Sequence, residues 1–283
     1  MTNDRILVTG GTGTLGRRVV PPLRAAGRPV RVLSRCERAA DADGVTYVRG
    51  DLLGDRAETD ARLAEALVGV DTVLHLAGGP KGDDEATRRL VAAAVRAGVR
   101  HLVYISVIGA DKVPLGYFRA KREAEQVVVR SGLPYTVLRA AQFHDLAFGV
   151  VSKMAKLPLL PAPGGVRWQP VDVGEVADRL VGAALDGPAG RLPDLAGPAV
   201  YELAELARGY LAARGRSRKQ LPVRVPGRIG RAYRAGANLA PEGAAHGRRT
   251  WEEFLAERLA GGAAGGVGGV GAAGAGGAVG AGS

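Results

Sequence analysis

Ile6-Leu7-Val8-Thr9-Gly10-Gly11-Thr12-Gly13-Thr14-Leu15-Gly16 is the stretch that decides the fold, and Arg17-Arg18-Val19-Val20 follows it at once. The first four residues read as a short buried strand, and Val19, Val20 and Leu23 return at helical spacing. Between them Gly10, Gly13 and Gly16 fall in a G-x-x-G-x-x-G pattern. A strand-to-helix turn this tight needs a residue that accepts positive φ. A pyrophosphate needs backbone N–H groups with no Cβ in the way and the positive end of a helix dipole behind them. Gly16 lets the helix close on the sheet. In a chain with 43 glycines a triplet alone says little. Its place between a strand and a helix makes it a dinucleotide cradle, with Gly10, Thr12, Gly13, Thr14, Leu15 and Gly16 as cofactor-binding candidates.

Working outward, apolar runs recur at Val30–Leu33, Val45–Val48, Thr72–Leu76, Leu102–Ser106 and Tyr135–Leu138. Amphipathic stretches near 14–26, 58–67, 84–97 and 117–131 separate them. Alternating strands and helices predict βαβ units, and right-handed crossovers make the result an α/β, Rossmann-type doubly wound parallel sheet. Residues 1–145 are expected to form this dinucleotide-binding domain. Beyond it a helix near 144–155 leads into the Pro/Gly-rich segment 157–165, expected as loop. A strand at Val166–Val171 and a helix at Val173–Leu185 are expected next. Residues 146–260 read as a smaller substrate or lid region completing the fold. Residues 261–283 contain 12 glycines and no charge, and read as a flexible tail.

The second strand refines the cofactor. NAD-preferring sites carry an acid at its end for the ribose 2′-hydroxyl. Here the chain reads Val32-Leu33-Ser34-Arg35, and a guanidinium suits a 2′-phosphate instead. Arg35, with Arg17 from the glycine turn, therefore predicts NADP, with NAD the alternative. Asp51-Leu52 after the third strand is placed at the adenine, although Asp51 serves a turn equally well. Ala77 and Gly78 after the fourth strand are small enough for a cofactor to pass.

The fifth strand ends at Ser106, and Tyr117 and Lys121 follow one helical turn apart on one face. A tyrosine ionises near about 10, and a neighbouring ammonium favours the phenolate, so a lowered Tyr117 pKa is expected. Ser106 to orient a substrate oxygen, Tyr117 to transfer its proton and Lys121 to tune it make a candidate catalytic set for carbonyl or alcohol chemistry.

Residues 1–145 resemble the short-chain dehydrogenase/reductase superfamily, in particular its atypical, NmrA-like NAD(P)-binding branch. The likeness rests on Thr9–Gly16, Ser106, Tyr117–Lys121 and Leu133–Arg139. Gln142-Phe143-His144-Asp145 and Gln169–Val173 resemble segments of the same branch, and the likeness runs to about residue 260. It implies strand order 3-2-1-4-5 with additions, NAD(P) binding, and catalytic roles for the matching serine, tyrosine and lysine. Gln142, Phe143 and His144 are the substrate-pocket candidates, with His144-Asp145 equally placed to do no more than cap the next helix. The function expected is reduction of a small carbonyl or quinone-like substrate. Some members of the branch sense the dinucleotide without turnover, so the alternative is a redox sensor that binds a protein partner.

Composition sets the remaining bounds. The net charge of +11 comes from 39 Lys and Arg against 28 Asp and Glu. The densest cluster, Arg214, Arg216, Arg218 and Lys219, reads as a loop after a helix, and no Lys/Arg run has the length of a nucleic-acid patch. Neither a membrane nor direct nucleic-acid contact is expected. The single cysteine, Cys36, excludes an intrachain disulfide, and the scattered histidines have no metal-ligand spacing. Neither a G-x-S-x-G elbow nor a Walker loop is present. The first residues lack the apolar core of a signal peptide, so a cytoplasmic protein is expected.

Overall fold

The structure is a computed structural model, described here for residues 4–38, 44–79 and 81–264. The first half alternates as β1 (Arg5–Thr9), α1 (Gly16–Ala25), β2 (Val30–Ser34), β3 (Thr46–Arg49), α2 (Arg56–Ala66), β4 (Val70–His75), α3 (Asp83–Arg96), β5 (His101–Val107), α4 (Gly116–Arg130) and β6 (Tyr135–Ala140). Then come α5 (His144–Met154), β7 (Leu160–Pro163), β8 (Arg167–Trp168), α6 (Val173–Asp186), β9 (Gly190–Arg191), β10 (Leu195–Ala196) and β11 (Tyr201–Glu202). The chain continues through α7 (Leu203–Ala212), β12 (Gln220–Val223), α8 (Gly227–Arg234), β13 (Ala245–His246) and α9 (Trp251–Ala264). Of the tail expected over residues 261–283, residues 261–264 instead complete α9, and the rest lies outside the described residues.

The main sheet runs β3-β2-β1-β4-β5-β6-β10-β13, all parallel, with β9 also on β6. The chain leaves β1 toward β2 and β3, then returns to β4 on the other side of β1. The switch point therefore lies at the carboxyl ends of β1 and β4, where ligands bind in such sheets. This is the Rossmann arrangement expected from the alternation.

Side chains alternate along each strand and fill two layers. Ile6 and Val8 of β1, Val30 and Val32 of β2 and Val103 of β5 pack with α1 and α6 on one face. Leu7, Val73, Leu102 and Tyr104 pack with α2, α3 and α4 on the other. A third apolar cluster joins α5, α7 and α9 through Val151, Leu206, Trp251 and Phe254.

Residues 157–165 differ from the expected loop, because Leu160–Pro163 is a strand paired in parallel with β12. Pro161 and Pro163 lack N–H donors, but they alternate with residues that have them, and the pairing is framed by Leu160 N–H to Lys219 O at 2.9 Å and Gly164 N–H to Val223 O at 3.1 Å. Proline is tolerated on such an edge. The strand expected over Val166–Val171 is shorter, confined to Arg167–Trp168, with Val171 bridging Phe143 instead.

Candidate active site

The glycine turn is built around two positions that admit no side chain. Gly10 sits at φ +71°, and a Cβ there would lie 2.6 Å from the Ala77 nitrogen. A Cβ on Gly16 would lie 2.3 Å from the Gly10 oxygen. Gly13 is different: it is exposed, and its nearest obstacle is 3.3 Å away. Helix α1 then starts with no side-chain cap and no acid in its first turn. Among the described residues nothing accepts from the N–H groups of Thr14, Leu15 or Gly16. Open donors at an acid-free helix start fit the pyrophosphate of a dinucleotide.

Of the flanking candidates, Arg35 is exposed just past β2, and Arg17 arches back to donate from Nε to Thr12 O at 2.9 Å. Asp51 uses one carboxylate oxygen to accept from Leu53 N–H at 3.0 Å, the turn-capping alternative. The Leu52 side chain is buried in the core beside Leu33 and Leu63.

At the switch point a directed hydrogen-bond chain joins β1, β4 and α3. Ala77 N–H donates to Thr9 Oγ1 at 3.2 Å, and Thr9 Oγ1 lies 2.6 Å from His75 Nδ1. His75 Nε2 lies 3.1 Å from Thr87 Oγ1, which donates to Asp83 O at 2.6 Å. The Asp83 carbonyl only accepts, so Thr87 spends its one proton there and accepts from His75 Nε2–H, and in a neutral imidazole this leaves Nδ1 as an acceptor. Thr9 donates to Nδ1, and His75 is the neutral Nε2–H tautomer. Burial and the neighbouring Lys121 charge hold its pKa down at about 3.

Lys121 arrives from α4 into this buried corner. Its Nζ is 2.8 Å from Asp83 Oδ2, 3.3 Å from Ile105 O and 5.1 Å from the centre of the Tyr104 ring. A Cβ on Gly78 would stand 3.1 Å from it, so the ammonium lies beside the small residues that end β4. Asp83 Oδ1 accepts from Gly79 N–H at 2.8 Å. Burial alone would lower the Lys121 pKa; the fields of Tyr104 and Asp83 outweigh it and hold it above the ordinary lysine range. Asp83, in the first turn of α3, went unnoticed in the sequence because acids there are ordinary complements of the helix dipole.

Tyr117 and Lys121 share α4 as expected, but the phenol departs from expectation. Burial of the ring's flank pushes its pKa up, Lys121 pulls it down, and Asp83 pushes it up again. The net direction is upward, because burial outweighs the pull of Lys121 and Asp83 adds to it. Tyr117 keeps 38% of its surface exposed, whereas Tyr104 is fully buried with its hydroxyl unpartnered and its pKa at about 12. Ser106 is buried at the end of β5, and no hydrogen bond ties its Oγ to Tyr117 or Lys121. Gln142 Oε1 is likewise buried and unpartnered.

His144 corrects the pocket reading. Its ring is enclosed, stacked on Phe254 at 5.1 Å and tilted against Trp251 at 6.0 Å, both from α9. Burial lowers its pKa to about 4. Phe143 packs against the α1–α6 side of the core. A buried clamp steadies the segment ahead of α4: Arg139 on β6 meets Glu125 twice, at 2.7 and 2.6 Å, and Asp111 at 2.6 Å.

An uncapped, glycine-turned helix at the switch point of a doubly wound sheet defines a class, the Rossmann-fold proteins that bind nicotinamide dinucleotides. Residues 10–178 match the NAD(P)H-binding family, and the chain belongs to it. It is 32% identical over 221 residues to the NAD(P)H azoreductase of Xenophilus azovorans, covering 75% of this chain and 74% of that protein. It is 44% identical over 142 residues to the (4-alkanoyl-5-oxo-2,5-dihydrofuran-3-yl)methyl phosphate reductase of Streptomyces griseus. That match covers 49% of this chain, which spans about half the length of the relative, 48%. The fold is shared with the NADPH-dependent quinone oxidoreductase of Escherichia coli complexed with NADPH, at a TM-score of 0.76 and 22% identity, covering 90% of this chain and 99% of that one.

Proposed function

We propose that the protein is an NADP(H)-dependent reductase of small carbonyl or quinone-like compounds, of the atypical short-chain dehydrogenase type and its NmrA-like branch. The observation that carries this reading is Lys121 Nζ, fixed by Asp83 beside Gly78 at the switch point, with the half-exposed Tyr117 one turn earlier on the same helix. Names of relatives that are reductases of azo and quinone compounds support it. A bound dinucleotide supplies a hydride at this site. Tyr117 supplies the proton that the substrate oxygen takes up, Ser106 donates a hydrogen bond to that oxygen, and Lys121 holds ribose hydroxyls and tunes the phenol. Gly10, Thr12, Gly13, Thr14, Leu15 and Gly16 cradle the pyrophosphate, and Asp51, Leu52, Ala77 and Gly78 border the rest of the cofactor. Gln142 and Phe143 border the substrate.

The preference for NADP rests on the exposed Arg35 and Arg17 at an acid-free strand end. Fluorescence titration with NADPH and NADH tests it. NADPH should bind tighter, and Arg35→Ala should bring its affinity toward that of NADH. Equal binding of both nucleotides by the unaltered protein refutes the preference. Turnover of a quinone and aldehyde panel tests the chemistry, and a Tyr117→Phe variant with full activity removes the proton role. The Asp83–Lys121 pair favours one second reading, a non-catalytic dinucleotide sensor with a protein partner, because it neutralises the cation meant to activate Tyr117. Tight nucleotide binding with no turnover across the panel selects that reading.

A further inference from the structure

The basic cluster that reads in sequence as an ordinary surface loop is a surface of unusual composition. Between Glu205 and Glu242 there is no acid, while Arg208, Arg214, Arg216, Arg218, Lys219, Arg224, Arg228, Arg231 and Arg234 supply nine cations. The structure lifts most of this segment off the body. Residues 212–224 are all exposed, β12 is attached only to β7, and α8 buries only Gly230. Arg214 lies over the Tyr210 ring at 5.0 Å, and Arg218 and Arg234 donate to backbone carbonyls. Among the described residues no carboxylate pairs with any cation from Arg214 to Arg234.

Exposed apolar side chains are interleaved with these charges. Leu221 is 48% exposed, Val223 39% and Ile229 36%, and in the segment leading into β7, the partner of β12, Leu157 is 46% and Leu159 43% exposed. Lys153 and Lys156, also exposed, extend the charge to that side. Uncompensated cations seek an anionic surface, and branched apolar side chains beside them seek a way out of water. An anionic bilayer interface satisfies both at once. A nucleic-acid groove would instead ask for aromatic platforms or base-reading amides, and residues 212–236 hold one aromatic, the half-buried Tyr233, and one amide, Gln220.

We propose that residues 153–159 and 212–231 form a docking surface for an anionic lipid bilayer, with the cations at the headgroups and Leu157, Leu159, Leu221, Val223 and Ile229 entering the interface. Among the described residues no helix is long and apolar enough to cross a membrane, so the contact is peripheral. The inference is independent of the reading of the dinucleotide site.

Co-sedimentation of the full chain with vesicles tests it, using phosphatidylcholine alone and phosphatidylcholine mixed with phosphatidylglycerol. The protein should sediment with the mixed vesicles at low salt, be released by salt, and ignore phosphatidylcholine alone. Arg216→Gln/Arg218→Gln/Lys219→Gln should weaken partitioning by roughly a hundredfold, at about fivefold for each cation removed from an anionic surface. Leu221→Ser/Val223→Ser should weaken it as well with the charge unchanged. Unaltered thermal melting shows that both variants fold. No sedimentation with the mixed vesicles at low salt overturns the proposal. Binding that survives Leu221→Ser/Val223→Ser and is matched by a gel shift of duplex DNA also overturns it, in favour of a general polyanion site.

Discussion

Replacing Asp83 by Asn tests the arrangement of the site without any substrate. Lys121 Nζ has a carboxylate oxygen at 2.8 Å, and both side chains are nearly removed from solvent, at 6% and 5% exposure. Without the carboxylate the ammonium keeps only Ile105 O at 3.3 Å and the Tyr104 ring at 5.1 Å. Breaking a buried pair from one side costs about 3–5 kcal/mol, a large part of a domain's total stability. With a urea slope near ~3 kcal/mol/M, the midpoint should fall by roughly 1–1.7 M. Lys121→Met should cost less, because Asp83 Oδ1 keeps its bond from Gly79 N–H at 2.8 Å and stands in the first turn of α3, where a negative charge is favoured. The double variant Asp83→Asn/Lys121→Met should recover most of the loss, leaving a coupling of at least ~2 kcal/mol in the double-mutant cycle. Urea titration of the four proteins reads all of this. A loss below about 1 kcal/mol for Asp83→Asn, or single losses that simply add, would refute the buried pair.

Three further outcomes follow from the same geometry. Gly16→Ala should leave little folded protein, because its Cβ would stand 2.3 Å from the Gly10 oxygen, whereas Gly13→Ala should melt near the unaltered protein and bind NADPH more weakly; thermal melting and fluorescence titration separate the two. Acid should destabilise the fold earlier than carboxylate protonation alone would. His75 at about 3, and His101 and His144 at about 4, lie below the ordinary value of 6.5, so the unfolded chain takes up their protons first. Their stability is full above about pH 6.5 and is lost as pH falls toward 4, each contributing about 2 kcal/mol of loss at pH 5. Urea midpoints at pH 7.5 and 5 measure the fall, and a variant with His144→Phe should show a shallower one. Arg139→Met should destabilise by about 3–5 kcal/mol by leaving Glu125 buried without its partner, a loss that chemical denaturation of the purified variant reads.

Most of the fold was legible because its signal is periodic. The strands β1 to β6 are short segments rich in Val, Ile, Leu, Thr and Tyr, and helices α1 to α4 show apolar residues at helical spacing, so each expected element lies within a few residues of the observed one. The second half carries less of this signal. β9, β10 and β13 have two residues each, too few for any alternation, yet they extend the main sheet. β7 was hidden by Pro161 and Pro163, which read as breakers unless their partner strand is known. At the site, the glycine turn and Tyr117–Lys121 are local patterns and stand out. Asp83 and His75 gain their meaning from Lys121, Thr9 and Thr87, partners remote in the chain. His144 looked like a pocket residue because it follows a strand end, and only α9 reveals that Trp251 and Phe254 cover it.

The charge arrangement around Lys121 bears on which direction the chemistry would run. Two tyrosines flank the ammonium. Tyr104 is fully enclosed and held at about 12, so it has no route to a substrate and no tendency to ionise. Tyr117 is reachable, and its phenol also lies above the ordinary range, because burial of the ring outweighs what Lys121 offers and Asp83 adds to it. Removing a proton from an alcohol calls for a phenolate, which this site disfavours. Delivering a proton to a carbonyl oxygen calls for a neutral phenol, and that is the form Tyr117 keeps throughout the physiological range. At neutral pH the resting site therefore presents the protonated phenol that reduction draws on. Reduction measured from pH 6 to 9 should show no limb from Tyr117, which stays protonated below its ordinary value of about 10. A limb near neutrality that vanishes in Tyr117→Phe would mean that the phenol is depressed after all, and that the Asp83–Lys121 pair opens when the site is loaded.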